Sequence, residues 1–399
     1  MFDYFFDIEE YMPKERFARF MDFARGRETP FLVTSLSVVA EKYDALRRCM
    51  PYASVYYAVK ANPEEQVLRL LSERGSCFDI ASVYELDLML RLGVEPERLS
   101  FGNTIKKARD IRYAYEHGVR LFASDSESDV RKLAEYAPHS GVFFRILTDG
   151  RGADWPLSRK FGSQPDVVFD NIVLAKSLGL NPRGISFHVG SQQLDVMQWR
   201  TPFDTCKDIF GAAEQQGIKL DLLNIGGGFP AHYLRPVEDL SVYAGEITGY
   251  IEETFLPASP PGKASPASLP QVIIEPGRYM VGDAGVMVSE IVLISWKERE
   301  SGIPWLYMDA GKFGGFIETI DECIRYPIYS ERTGDANDYV IAGPTCDSMD
   351  ILYEKNPYRL PSNLQEGDRL FFLSAGAYTQ TYSSVFFNGF PPLRSYVIE

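Results

Sequence analysis

The chain has 399 residues, 45% of them hydrophobic and 13% aromatic, enough to bury a large core in two or three domains. Its 41 basic and 55 acidic side chains leave a net charge of −14, which argues against nucleic acid and anionic membrane as main partners. Five scattered cysteines with no CxxC pair point to free thiols in a reducing compartment. The acidic, aromatic amino terminus lacks the order of a signal peptide, and no run approaches the ~18 apolar residues of a membrane span. A cytoplasmic protein is expected.

Residues 1–29 read as a short helical lead, with Phe17, Phe20, Met21 and Phe23 at helical spacing. The run PFLVTS (30–35) is the first strand, and a regular alternation of helices and strands begins there. Strands follow in SVYYAV, ending at Lys60, then in CFDIAS, RLSFGN, RLFAS, GVFFRIL, GISFHVG, LLNIGGG and QVIIEPG, the last ending at Gly277. These strands, separated by helices, fit a (β/α)8 TIM-like barrel over 30–277, within the ~250 residues such a fold needs. A doubly wound open sheet competes, because both folds gather polar residues at the carboxyl ends of strands. The Pro/Ser-rich stretch at 257–270 reads as an exposed loop before the last barrel strand. Beyond Gly277 the pattern turns mostly β, interrupted by one helical segment at 316–325. Residues 1–29 and 278–399 are therefore expected to make up a second, β-rich domain.

Several strand ends carry candidate chemistry. In YYAVKANP, Lys60 ends a buried strand. It either snorkels to water or sits in a partly apolar pocket with a lowered pKa, ready to form a Schiff base. In NIGGGFP, Gly226, Gly227 and Gly228 suit a tight turn or a backbone cradle for phosphate. The pattern is not GxGxxG, which disfavours a dinucleotide fold. EPGRYMV offers Glu275 and Arg278, as a simple ion pair or as partners for a pyridinium nitrogen and a phosphate. FHVGSQ places His188 and Ser191 at another strand end, and GPTCDSMD sets Cys346 beside Asp347 in a turn. No HExxH, CxxC or histidine–carboxylate cluster signals a metal site, and none is expected.

Taken together, YYAVKANP, FDIAS, SRKFG, FHVGSQ, GGGFP, EPGRY, GPTCDS and GAYT with FNGF occur in an order that resembles the pyridoxal-phosphate decarboxylases of the ornithine decarboxylase group. These are the barrel-type, alanine-racemase-like decarboxylases of basic amino acids. The resemblance covers nearly the whole chain and favours the barrel over the open sheet. It implies pyridoxal 5′-phosphate held on Lys60, with His188 against the ring and Glu275 at the pyridine nitrogen. It implies Ser191, Gly227, Gly228, Arg278 and Tyr378 at the phosphate, Gly226 shaping the loop, and Asp79 and Arg145 lining the side near Lys60. It also implies that Cys346 and Asp347 enter the active site of the other subunit of a head-to-tail homodimer. In that scheme a thiol such as Cys346 returns a proton to the carbon that has lost CO2.

Substrate choice is expected from GKFGGFIETIDECIRYPI. There Glu318, Asp321 and Glu322 fall at i, i+3 and i+4 and would share one helical face. That face is either solvated or, with Asp347, receives the distal ammonium of a diamino acid. Ornithine is the expected substrate and putrescine the product, with lysine as a longer rival. An ornithine acylated on its distal nitrogen, or a non-catalytic regulatory relative, are the other readings.

Overall fold

The computed structural model describes residues 7–155, 159–256, 269–298 and 302–399. The chain opens with α1 (Lys14–Ala24), β1 (Phe31–Ser35) and α2 (Leu36–Cys49). Then β2 (Ala53–Ala58), α3 (Glu65–Glu73), β3 (Cys77–Ile80), α4 (Val83–Arg91), β4 (Leu99–Phe101), α5 (Ala108–Glu116), β5 (Leu121–Ser124), α6 (Glu127–Tyr136) and β6 (Gly141–Arg145) alternate. A short strand β7 (Ala153–Trp155) precedes α7 (Pro165–Ser177) and β8 (Asn181–Ser186), and β9 (Ser191–Gln193) pairs back on β7. Next come α8 (Arg200–Gln215), β10 (Leu222–Asn224), α9 (Leu240–Phe255) and β11 (Gln271–Ile274).

Eight parallel strands close a barrel in the order β2-β3-β4-β5-β6-β8-β10-β11, with β11 returning to β2. The open sheet is thereby excluded. Alternation along each strand sorts the side chains. Tyr57 and Phe78 point outward under the helices, while Tyr56, Ala123, Phe143, Leu222 and Ile273 pack inside the barrel. This inner plug leaves only the carboxyl ends of the strands for chemistry.

The rest of the chain forms α10 (Arg278–Val281), β12 (Gly285–Ser295), β13 (Trp305–Met308), β14 (Ile328–Ser330), β15 (Ala336–Ala342), β16 (Ile351–Pro361), β17 (Arg369–Phe372) and β18 (Arg394–Ile398). Strands β12 to β18 and β1 build one eight-stranded sheet with the path β14-β17-β12-β13-β15-β16. Here the structure departs from the expectation for residues 30–35. Strand β1 does not join the barrel; it pairs antiparallel with β12 and parallel with β18. All five of its residues are buried, so its apolar run suits either sheet equally. Helix α1 packs on the same sheet, burying Phe17 and Phe20 against Phe31, Val286 and Phe371. Of the loop read at 257–270, residues 257–268 lie outside the described residues.

Candidate active site

Lys60 sits in a one-turn 3-10 segment (Val59–Ala61) directly after β2. Three hydrogen bonds fix that turn. The Tyr57 hydroxyl donates to the Asn62 carbonyl at 2.9 Å, and the Asn62 side-chain amide donates to the Gly376 carbonyl at 3.0 Å. The Tyr378 N–H donates to the Ala61 carbonyl at 2.9 Å. A loop of the β domain therefore clamps the lysine turn of the barrel. Tyr378 adopts φ +59°, a left-handed backbone that an aromatic residue holds only where its surroundings impose it.

Asp79, the penultimate residue of β3, lies 3.5 Å from the Lys60 ammonium, and its other oxygen accepts the Ser100 hydroxyl at 3.3 Å. The helix that follows is set by its cap. Ser82 accepts the Glu85 N–H at 3.3 Å, while Glu85 reaches back to the Ala81 N–H at 2.6 Å. Gly102, after β4, is required by close approach: a Cβ there would lie 1.9 Å from Asp79 Oδ1. Glu275, just past β11, accepts the Asn224 side-chain amide at 2.5 Å. His188 follows β8; its Nδ1 accepts the Gly190 N–H at 3.0 Å.

Burial, with the Asp79 charge added, pushes the Glu275 carboxyl up to about 7. Burial, together with the Arg145 and Lys60 cations, holds His188 well below its ordinary range, so its imidazole is neutral. Of the two readings of Lys60, the lowered pKa is not favoured by its surroundings, and its side chain stays about half exposed, at 48%. Burial alone would lower it, but Asp79, Tyr378, Glu275 and Glu85 outweigh burial and raise it. The amine is thus held as an ammonium by its carboxylate neighbours.

Lys60, Asp79, Arg145, His188, Ser191, Glu275, Glu318 and Tyr378 line a single cavity of about 400 Å³. The glycine run adjoins it. Gly226 (φ +68°) and Gly228 (φ +104°) have left-handed backbones, and a Cβ at Gly227 would fall 3.1 Å from His188 Nε2 and 2.7 Å from the Glu275 carbonyl oxygen. No side chain fits between the loop and those residues, and the Gly226 N–H is itself held by Asn224 Oδ1 at 2.9 Å. Arg278 is buried beneath Ser191, donating to its hydroxyl through Nε and Nη2 at 3.1 Å.

The acidic segment is not the shared face read from spacing. Residues Ile317–Glu322 form 3-10 turns broken at Ile320 and Asp321, and both Asp321 and Glu322 have positive φ. The three carboxylates diverge. Glu318 is buried on Arg278, Asp321 is exposed on Lys355 at 2.9 Å, and Glu322 binds Arg325 and the backbone N–H groups of Glu354, Lys355 and Asn356. An i, i+4 argument holds only for an α-helix, and this segment is not one.

Cys346 and Asp347 do not line the cavity of their own chain. They sit on the turn between β15 and β16, where Cys346 is exposed and its N–H donates to Asn388 Oδ1 at 2.9 Å. Sequence reasoning missed Trp155, Lys160, Phe161 and Tyr382, which also line the cavity, and Asn224, which holds Glu275. Asn224 was the findable one, as a polar residue closing an apolar strand two positions before the glycines.

A family model described as "Pyridoxal-dependent decarboxylase, pyridoxal binding domain" matches residues 36–282. The chain belongs to the pyridoxal-dependent decarboxylase family. It is 34% identical to the lysine/ornithine decarboxylase of Selenomonas ruminantium, over 92% of this chain and 89% of that one. The crystal structure of SrLDC in complex with PLP and cadaverine superposes with a TM-score of 0.84 at 32% identity, covering 95% of this chain and 93% of that one. The arginine decarboxylase of Paramecium bursaria Chlorella virus bound to agmatine gives a TM-score of 0.84 at 28% identity, over 95% of this chain and all of that one, 100%. The protein is a pyridoxal-phosphate-dependent decarboxylase of basic amino acids. Its cavity fits that cofactor: an amine, a buried carboxylate and a neutral imidazole converge from different strand ends, beside a glycine turn whose Gly227 packs against His188 and Glu275 with no room for a side chain. No helix among the described residues is long and apolar enough to cross a membrane, and no cluster there suits a metal ion.

Proposed function

We propose that the decarboxylase acts on a basic amino acid with a free distal ammonium, L-ornithine first and lysine second, releasing putrescine or cadaverine in the cytoplasm. The reading rests on the meeting of Lys60, Glu275 and His188 in one cavity of a basic amino acid decarboxylase. When bound, pyridoxal phosphate supplies an electron sink for the carbon that loses CO2.

The chain's own residues supply the rest. Lys60 carries the cofactor by its amine. Glu275, with Asn224 on its Oε1, keeps the proton on the ring nitrogen; an anion there raises that nitrogen's pKa. The neutral His188 offers a flat, uncharged face for the ring. Ser191, Gly227, Gly228 and Tyr378 receive the phosphate, with Arg278 behind Ser191. Asp79 and Arg145 balance charge at the lysine side.

The proton donor and the ammonium contact come from a second copy in this reading. Cys346 lies on an exposed turn flanked by apolar side chains: Met349, Val385, Phe386 and Phe390 are all exposed. Such a patch beside a functional turn suits a homodimer interface. There Cys346 would protonate the substrate Cα and Asp347 would pair with the distal ammonium. Asp347 Oδ1 already accepts the Met349 N–H at 2.8 Å, which holds the carboxylate in place.

A buried ammonium without its carboxylate costs about 3–5 kcal/mol, whereas one methylene is worth about 1–3 kcal/mol. Charge should therefore be read strongly and length weakly. The test compares kcat/KM for ornithine, lysine and an ornithine acylated on its distal nitrogen. Ornithine should exceed lysine by about tenfold, and lysine should still exceed the acylated compound by about a hundredfold or more. If the acylated substrate wins, the site does not read an ammonium.

A further inference from the structure

Arg278 has five N–H groups, and the chain offers an acceptor to each. Nε and Nη2 donate to the Ser191 oxygen, both at 3.1 Å. Nη1 donates to the Tyr233 hydroxyl at 2.8 Å. Nη1 and Nη2 also grip the two Glu318 oxygens at 2.8 and 2.6 Å. Both side chains of this ion pair are 2% exposed. The guanidinium also lies 4.9 Å from the centre of the Tyr378 ring.

Two consequences follow from this arrangement. A hydroxyl has two acceptor lone pairs and one hydrogen. With both lone pairs turned to Arg278, the Ser191 hydrogen must donate elsewhere, and Ser191 lines the cavity. The Arg278 charge is also compensated within the protein, because a bidentate carboxylate pairs with it. An anion arriving at Ser191 and the glycine loop meets a neutral ion pair fronted by a hydroxyl donor.

We infer that Glu318 tempers the phosphate subsite, holding Arg278 paired and neutralised behind Ser191 so that the phosphate meets a hydroxyl donor instead of a free guanidinium. Glu318 thereby sets how tightly the phosphate is held, and it is not the ammonium contact that its place in the acidic segment suggests. Its two oxygens are engaged on a buried guanidinium and leave little for a substrate cation. The inference rests on the proposed phosphate subsite around Ser191 and is tested separately from it.

The experiment measures equilibrium binding of pyridoxal 5′-phosphate and of pyridoxal, which lacks the phosphate, to the full chain. Parent, Glu318→Gln, Glu318→Asp and Ser191→Ala proteins are compared by absorbance titration. Glu318→Gln removes the counter-charge and frees Arg278 for the phosphate. It should tighten pyridoxal 5′-phosphate by about tenfold or more and leave pyridoxal within about twofold. Glu318→Asp keeps the charge but shortens the reach, so it should shift the same way by about threefold. It carries the test should Glu318→Gln fail to fold. The preference of Glu318→Gln for ornithine over lysine should stay within about threefold of the parent. Equal shifts for both ligands would reduce Glu318 to a packing role. An unchanged or weakened phosphate ligand, or a collapsed substrate preference, would also overturn the inference. Ser191→Ala addresses the underlying assignment: it should weaken only the phosphorylated ligand. If it leaves the preference for that ligand intact, the phosphate subsite lies elsewhere.

Discussion

Glu275 is the residue whose environment has the clearest energetic signature. Its carboxyl is pushed up to about 7 by burial and by Asp79, well above the ordinary 4.5. A group whose pKa is raised on folding binds more protons in the folded chain, so stability falls as pH rises through the window between the two values. The cofactor-free parent should therefore lose melting temperature relative to Glu275→Gln between about pH 4.5 and 7. A parallel pair of curves would show that the carboxyl is not desolvated. Cys346 makes the complementary prediction for chemistry. Cys346→Ala should retain the cofactor but slow amine release by about a hundredfold, the usual loss on removing a general acid. Misplaced protonation should then raise the share of aldehyde product, measured against amine after a fixed turnover. An unchanged rate and product ratio would remove the thiol from the reaction.

At the scale of elements, the turn that carries Cys346 is organised by Asp350, the last residue of GPTCDSMD, which the motif reading did not single out. The Asp350 carboxylate, 2% exposed, accepts the Lys312 N–H at 2.7 Å, the Thr345 N–H at 3.1 Å and the Thr345 hydroxyl at 2.7 Å. A Cβ at Gly311 or Gly343 would strike this carboxylate, at 2.1 and 2.4 Å from Oδ1. Asp350 thus ties the Thr345–Asp350 turn to the segment after β13. Asp350→Ala leaves three buried or half-buried donors unpaired and should cost about 2–4 kcal/mol by urea unfolding. It should also slow amine release as Cys346→Ala does, with cofactor binding kept. Stability lost without any effect on amine release would confine Asp350 to a local structural role. The segment Ile317–Glu322 teaches the opposite lesson. Its sequence carries helical spacing, yet side-chain bonds from Glu322 to the β16 backbone and from Glu318 to Arg278 pull the chain into broken 3-10 turns. Long-range partners override local periodicity there.

At the scale of the whole molecule, the barrel offers Lys60 and the β domain offers Cys346, and they do not meet in one cavity of one chain. The proposed homodimer makes a quantitative claim. Mixing Lys60→Ala with Cys346→Ala chains in equal amounts, the first inactive and the second slowed about a hundredfold alone, puts both lesions in one site of every mixed dimer and leaves the other intact. Random exchange should restore about a quarter of the parent activity. If isotope-labelled subunits are seen to exchange and no activity returns, the sites are not shared.

Much of this protein was legible in its sequence because barrel strands end in short motifs whose chemistry needs particular residues at particular offsets. Lys60, Asp79, His188, Ser191 and Glu275 all lie within a few residues of an apolar strand, and closing the barrel brings those strand ends together. The family and its cofactor follow from such local patterns. Three matters were left to the tertiary structure. Strand β1 is buried throughout, so no pattern within it shows that it joins β12 and β18 and not the barrel. The strand end alone leaves a lowered pKa open for Lys60, but carboxylates from β3, α4 and β11 converge on it and reverse the direction. Glu318, Asp321 and Glu322 stand within five residues, yet partners up to 40 residues away send each to a different place. Hydrophobic periodicity and motif spacing act along the chain. Ion pairing and desolvation depend on which distant groups the fold brings near, and only the assembled structure fixes those.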